Sequence, residues 1–221
     1  MEGLMRQVDG YCERTDFSYW AEPVNALTNL AFIVAAIVMW RRVRGQGLPL
    51  AEVLCAILFA IGVGSWLFHT HATLWGALAD VIPIGLYILT YLFAVNFAFC
   101  TFSKRVSLVA TALFIPYAAV LTLLLDRLPF FNVSNFYWTV PILIFGYALA
   151  LRRSSPDTAR GMAIGGAVLC VSITARSLDE TLCDAFPLGT HFLWHLLNGA
   201  MLGWMIEVYR RHRLAQPARA A

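Results

Sequence analysis

The chain is short of charge. Of its 221 residues, 13% are Asp, Glu, Lys or Arg and 60% are hydrophobic, with a mean hydropathy of +0.69. A soluble domain carries about a quarter charged residues, so lipid is the expected solvent for most of this surface. A basic stretch followed by a short apolar core is also missing from the start. The first apolar run begins near Val24, after Asp9, Glu13, Arg14, Asp16 and Glu22, and a cleavable signal peptide is not expected. Linker-like and low-complexity runs are absent before Arg210. The reading is therefore one domain, 1–221, with an outer N-terminal segment, 1–23, and a basic tail, 210–221. There is no inverted repeat and no Pro/Gly-broken helix pair in matching halves, which argues against a transporter. Pro83, Pro116 and Pro141 are expected only to kink their helices. No nucleic-acid partner and no obligate protein partner is expected.

What is present is a series of apolar runs. A membrane-spanning helix needs about 20 mostly apolar residues. Seven candidates stand out, near Val24–Trp40, Pro49–Phe68, Ala77–Phe99, Val106–Leu125, Phe136–Leu151, Gly161–Ala175 and His191–Tyr209. The sixth is the weakest, being short and rich in Gly and Ala, a composition that suits close helix packing. The fold expected is all-α, a seven-helix transmembrane bundle. Charge tests that count. Arg41, Arg42 and Arg44, Lys104 and Arg105, Arg152, Arg153 and Arg160, and Arg210, Arg211, Arg213 and Arg219 follow the odd-numbered spans. The other side keeps Arg6, Arg14, Arg127 and Arg176. Loops rich in Lys and Arg stay cytoplasmic, so the N-terminus is expected outside and the C-terminus inside. Asp9, Glu13, Asp16, Glu22, Asp126, Asp179, Glu180 and Asp184 fall on the outer side. A cation site is one reason for that excess; chance is the other, preferred for Asp126 and Asp184.

Ionisable side chains within a membrane are costly and point to function. His191 and His195 are four residues apart, on one face of a helix, the spacing of two ligands to one zinc ion. The topology brings His69, at the end of the second span, to the same outer depth, with His71 just past it. Asp80 lies near the start of the third span on that side, and Ser65 sits one turn before His69. Three imidazoles, a carboxylate and an open position suit a catalytic zinc site better than a closed structural one. Each residue also has a plainer reading: His69 as an interfacial histidine, Asp80 as a charge favoured by a helix N-terminus, Ser65 as a small packing residue beside Gly62 and Gly64. His212, in the basic tail, is expected to be solvated.

The stretch Gly64-Ser65-Trp66-Leu67-Phe68-His69-Thr70, with Asp80 eleven residues after His69, resembles the alkaline ceramidase family of seven-helix membrane hydrolases. So do Gly189-Thr190-His191-Phe192-Leu193-Trp194-His195 and the run from Tyr11-Cys12-Glu13 to Glu22-Pro23-Val24-Asn25. The wider superfamily includes the adiponectin and progestin receptors. The resemblance implies hydrolysis of ceramide, a lipid substrate drawn from the bilayer, to a sphingoid base and a fatty acid. It implies that His69, His191 and His195 hold zinc, that Asp80 contacts the activated water and that Ser65 steadies the oxyanion. It also implies a calcium site in the N-terminal segment, with Asp9, Glu13 and Glu22 as candidates. In animal members that segment reads Asp-Trp-Cys-Glu-x-Asn, then a later Glu. Here Gly10 stands at the Asp position, with Asp9 beside it, and Thr15 at the Asn position, with Asp16 beside it. Cys12 and Cys183 both lie outside in this topology, which permits a disulfide; Cys55, Cys100 and Cys170 read as apolar fillers. A zinc hydrolase for another lipid amide or ester, and a receptor-like protein with structural zinc, stay open as alternatives. The short chain with its Arg-rich tail suggests a bacterial inner-membrane protein.

Overall fold

A computed structural model of the chain describes residues 3–8 and 10–216. It is all-α, and among the described residues the only extended pairing is an isolated bridge between Gln7 and Thr73. Six helices are long and apolar enough to cross a membrane: α1 Pro23–Val43, α2 Pro49–His71, α3 Leu74–Phe99, α4 Lys104–Leu125, α5 Asn132–Leu151 and α6 Pro156–Leu178. α7, His191–Ala215, is 25 residues long. It is not among those six because His191, His195, Asn198 and Glu207 dilute its apolar content.

Local chemistry sets the helix boundaries. Pro23, Pro49 and Pro156 open their helices, where a missing N–H costs nothing and φ is already helical. Thr73 and Ser103 cap α3 and α4 through hydroxyls that accept from the N–H groups of Gly76 and Val106. Regular α geometry in α4 is interrupted at Leu113. Pro116 lies three residues on and has no N–H to offer the Ala112 carbonyl, so the break has a local cause.

The helices pack in ring order, each against its sequence neighbours, with α7 closing the ring between α6 and α1 and also touching α2. Tyr87 and Tyr91 of α3 reach across and donate to the Leu202 and Met205 carbonyls of α7, at 2.7 and 3.1 Å. The outer faces are apolar: Leu123, Ile115 and Val109 on α4 are among the most exposed side chains, which in water would be a large exposed apolar patch. The N-terminal segment lies over one end of the ring. Leu74 and Trp75 donate to the Arg6 and Leu4 carbonyls, and Val8 donates to Ala72.

Three expectations are corrected. The sixth span is no stub: α6 runs 23 residues and is the most buried of the six, with Gly161 and Gly165 set directly against Val208 and Met205 of α7. The basic tail is not free from Arg210, because α7 continues to Ala215. Glu207 holds that end together, bonded to Arg210, Arg211 and, from α1, Arg42. His212 is buried, its Nδ1 2.8 Å from the Thr158 hydroxyl and its ring against Phe99.

Candidate metal centre

The three histidines meet where α2 ends and α7 begins. His69 is in the last turn of α2; His191 opens α7 and His195 follows one turn later on the same face. Ring centroids are 4.6 Å apart for His191 and His195, 4.7 Å for His69 and His195, and 5.2 Å for His69 and His191. All three are buried, and one ring nitrogen from each lies within 4.8 Å of the others. Among the described residues this is the only group of three or more His, Cys, Asp or Glu side chains so placed.

Partners behind the rings decide which nitrogen faces inward. His69 Nδ1 is 2.6 Å from Glu22 Oε2, a carboxylate oxygen that accepts a hydrogen bond from the ring N–H. His195 Nδ1 is 2.9 Å from Thr28 Oγ1, whose own hydrogen goes to the Val24 carbonyl at 2.8 Å, so the hydroxyl accepts from the ring. Both arrangements leave Nε2 as a lone pair. Among the described residues, the buried imidazole nitrogens without a partner are His69 Nε2, His191 Nδ1 and His195 Nε2, one from each ring. An orphaned buried polar atom costs about 1–3 kcal/mol. Three orphans facing one another fit a metal ion, and three imidazoles, two of them with hydrogen-bonded outer partners, fit zinc with a fourth position free.

His191 is fixed from its backbone and its face. Asp179, buried at the end of α6, accepts the N–H groups of Thr190 and His191 through Oδ1, at 2.6 and 2.8 Å, and that of Cys12 through Oδ2, at 3.0 Å. Gly189 makes this close approach possible: it has φ +67°, and a Cβ there would lie 2.1 Å from Asp179 Oδ1. The Cys12–Cys183 disulfide forms beside it, and the next residue, Tyr11, stacks on His191 with ring centroids 3.7 Å apart. Burial pushes the Tyr11 phenol well above its ordinary pKa, so it stays a neutral aromatic wall.

Asp80 and Ser65 come together because α2 and α3 touch at Gly64. A Cβ on Gly64 would sit 2.0 Å from the Ala79 carbonyl oxygen. Ser65, buried, and His69 are among the groups that act on the Asp80 carboxylate, as is Arg176 from α6. Arg176 also donates to Ser134 Oγ at 2.8 Å and lies over the Tyr137 and Trp194 rings. Asp80, Tyr11, Tyr137 and Arg176 line a cavity of about 450 Å³ beside the histidines.

His69, His191, His195, Asp80 and Ser65 thus lie together. Tyr11, Thr28 and Arg176 join them unforeseen; Thr28 carries no sequence signal, and Arg176 stood out only as one of four arginines on the outer side. The calcium candidates are placed as follows. Asp9 lies outside the described residues. Glu13 accepts the Val24 and Asn25 N–H groups at the start of α1, at 2.7 and 2.8 Å. Burial holds its carboxyl above the usual range in spite of those bonds. Glu22 is engaged by Arg14, Asn25 and His69. Burial alone would raise its carboxyl; the hydrogen bonds from His69 and Asn25 and the charge of Arg14 outweigh burial and hold it below the usual range.

No curated protein matches the chain in sequence. Residues 8–219, nearly the whole chain, match the ceramidase family, and the motifs around Ser65, His69, Asp80, His191 and His195 that suggested that resemblance all lie within this span. The chain belongs to the ceramidase family.

Proposed function

We propose that this chain is a zinc-dependent intramembrane amidase that cleaves the N-acyl bond of ceramide, or of a similar lipid amide, to a long-chain base and a fatty acid. The observation that carries this reading is the convergence of three buried, unpaired imidazole nitrogens beside Asp80 and Ser65. Zinc on His69, His191 and His195 would supply Lewis-acid activation of water and of an amide carbonyl at neutral pH. Asp80 takes the proton of the attacking water and returns it to the departing nitrogen. The Ser65 hydroxyl donates to the carbonyl oxygen as it gains charge. Tyr11, over His191, keeps bulk water from that side.

Small apolar gaps between the helices mark a path along which an acyl chain would part them. Two apolar cavities of about 50 Å³ each share Ile88, Val140, Met201 and Leu202 as walls. One of them begins at Phe32 and Trp194, and Phe32 packs against His195. A chain entering sideways between the helices would place its amide at the histidines. The orientation proposed is seven crossings with the N-terminus outside, in a bacterial inner membrane. The place of α7 in the ring supports it, as does the gathering of Arg42, Arg210 and Arg211 on Glu207.

The test is to purify the protein in detergent, measure zinc per chain in wild type and His195→Ala, and incubate both with fluorescent lipid amides that include ceramides. About one zinc per chain and amide cleavage, both lost in the variant, is the expected result. Cleavage by metal-free His195→Ala protein would sink the zinc mechanism. Zinc in the wild type without cleavage of any lipid amide would sink the amidase assignment.

A further inference from the structure

The N-terminal segment contains one buried cation of its own. Arg14 is 5% exposed, and its guanidinium is enclosed by oxygens. Nε donates to Glu22 Oε1 at 2.5 Å, Nη1 to the Asp16 carbonyl at 2.9 Å and Nη2 to the His69 carbonyl at 2.8 Å. One carboxylate and two carbonyls are the donors that a hard divalent cation takes from a protein. Here a planar guanidinium, with five fixed N–H donors and a permanent charge, lies among them.

Among the described residues, most of the other side-chain oxygens near this cation are committed elsewhere. Glu13 has both oxygens on the α1 amides. The Asp16 carboxylate accepts the Ser18 N–H at 2.7 Å. Gly10 has no side chain, and Thr15 is exposed. Calcium takes six to eight oxygens, and of the Glu13, Asp16 and Glu22 carboxylate oxygens only Asp16 Oδ2 is without a hydrogen bond.

We infer that Arg14 is the resident cation of this segment in place of calcium, and that it acts as a positioning residue for the metal centre by holding Glu22 on His69 Nδ1. The guanidinium bridges the two parts that must stay in register, the Glu22 carboxylate and the backbone of His69 itself. With Oε1 held by the Arg14 Nε–H, the carboxylate presents Oε2 to His69 Nδ1, which fixes His69 with Nε2 facing His191 and His195. The inference rests on the zinc reading above.

Three proteins test it: wild type, Arg14→Ala and Arg14→Lys. The measurements are calcium binding by equilibrium dialysis with labelled calcium, zinc affinity by competition with a chromophoric chelator, and thermal melting. Wild type should bind no calcium up to about 1 mM, the weak end of protein calcium sites, and added calcium chloride should leave its amidase rate unchanged. Arg14→Ala should bind zinc about 10–100-fold more weakly, the usual cost of removing a group that orients a metal ligand. Arg14→Lys, which keeps the charge, should recover part of that loss. A purely structural arginine would lower the melting temperature but leave the zinc affinity of the folded protein unmoved. One calcium per wild-type chain at micromolar affinity would overturn the inference, whether or not the variants fold. Zinc present in wild type and equally tight in Arg14→Ala would overturn it while leaving the metal centre standing. Wild type without zinc would overturn both.

Discussion

Thr28→Val isolates one atom of the metal centre. Valine has the shape of threonine without the hydroxyl, so the packing of α1 against α7 is kept while the acceptor 2.9 Å from His195 Nδ1 is lost. The ring then has no partner to fix its tautomer, and a buried N–H is left unsatisfied. Removing an outer partner of a metal-bound histidine costs about 10–100-fold in affinity, equivalent to about 1.4–2.8 kcal/mol at 1.4 kcal/mol per tenfold. The cost of an orphaned buried donor, about 1–3 kcal/mol, is the same size, as expected if one event underlies both. The assay is zinc competition against a chromophoric chelator in detergent, for wild type, Thr28→Val and Thr28→Ser. The serine variant keeps the hydroxyl and should bind zinc within about threefold of wild type, well inside the loss expected for valine. Zinc affinity in Thr28→Val equal to that of wild type would refute the argument that outer hydrogen bonds select the nitrogens of this site.

Ser65→Ala should keep its zinc and lose about 10²–10³-fold in turnover, the usual effect of deleting one oxyanion donor; zinc analysis beside a lipid-amide assay checks both, and a full rate would remove Ser65 from the mechanism. Gly64→Ala places a methyl against the Ala79 backbone, where no side chain can move aside, so α2 and α3 must part. The expected loss is about 1–3 kcal/mol or more, seen as a lower melting temperature together with reduced activity, because Ser65 and Asp80 separate. Cys12→Ser frees the N-terminal segment from the α6–α7 connection and should cost about 2–4 kcal/mol of stability; thermal melting of wild type with and without reductant should reproduce the shift.

Much of the fold was legible in the amino-acid sequence, because membrane helices are read from local composition. The apolar runs mark the places of six of the helices, and their basic ends alternate. The errors have physical causes. α6 looked short because Gly and Ala carry little hydrophobicity, yet those residues let Val208 and Met205 of α7 pack against it. The last turns of α7 looked like a solvated tail because they are basic, yet Glu207 neutralises Arg210 and Arg211 on the same helix. In the site, the His191 and His195 pair was legible from its four-residue spacing. The outer acidic excess was noticed, but its cause was not: Asp179 and Glu13 serve backbone N–H groups, and Glu22 serves His69.

The sequence alone determined the solvent, the helical class and the helix face that carries two of the three imidazoles. Each depends on residues within a turn or a span of one another, where the period of 3.6 and the average apolar content are sufficient. The tertiary structure decided which ring nitrogens face inward, that Arg14 bonds both Glu22 and the His69 carbonyl, and that Asp80 reaches Ser65. Those outcomes depend on contacts between residues distant in the chain, 47 apart for Glu22 and His69 and 167 apart for Thr28 and His195. Such contacts are set by how closely helices approach, down to the single missing Cβ of Gly64, and side-chain packing of that kind leaves no periodic trace in a sequence.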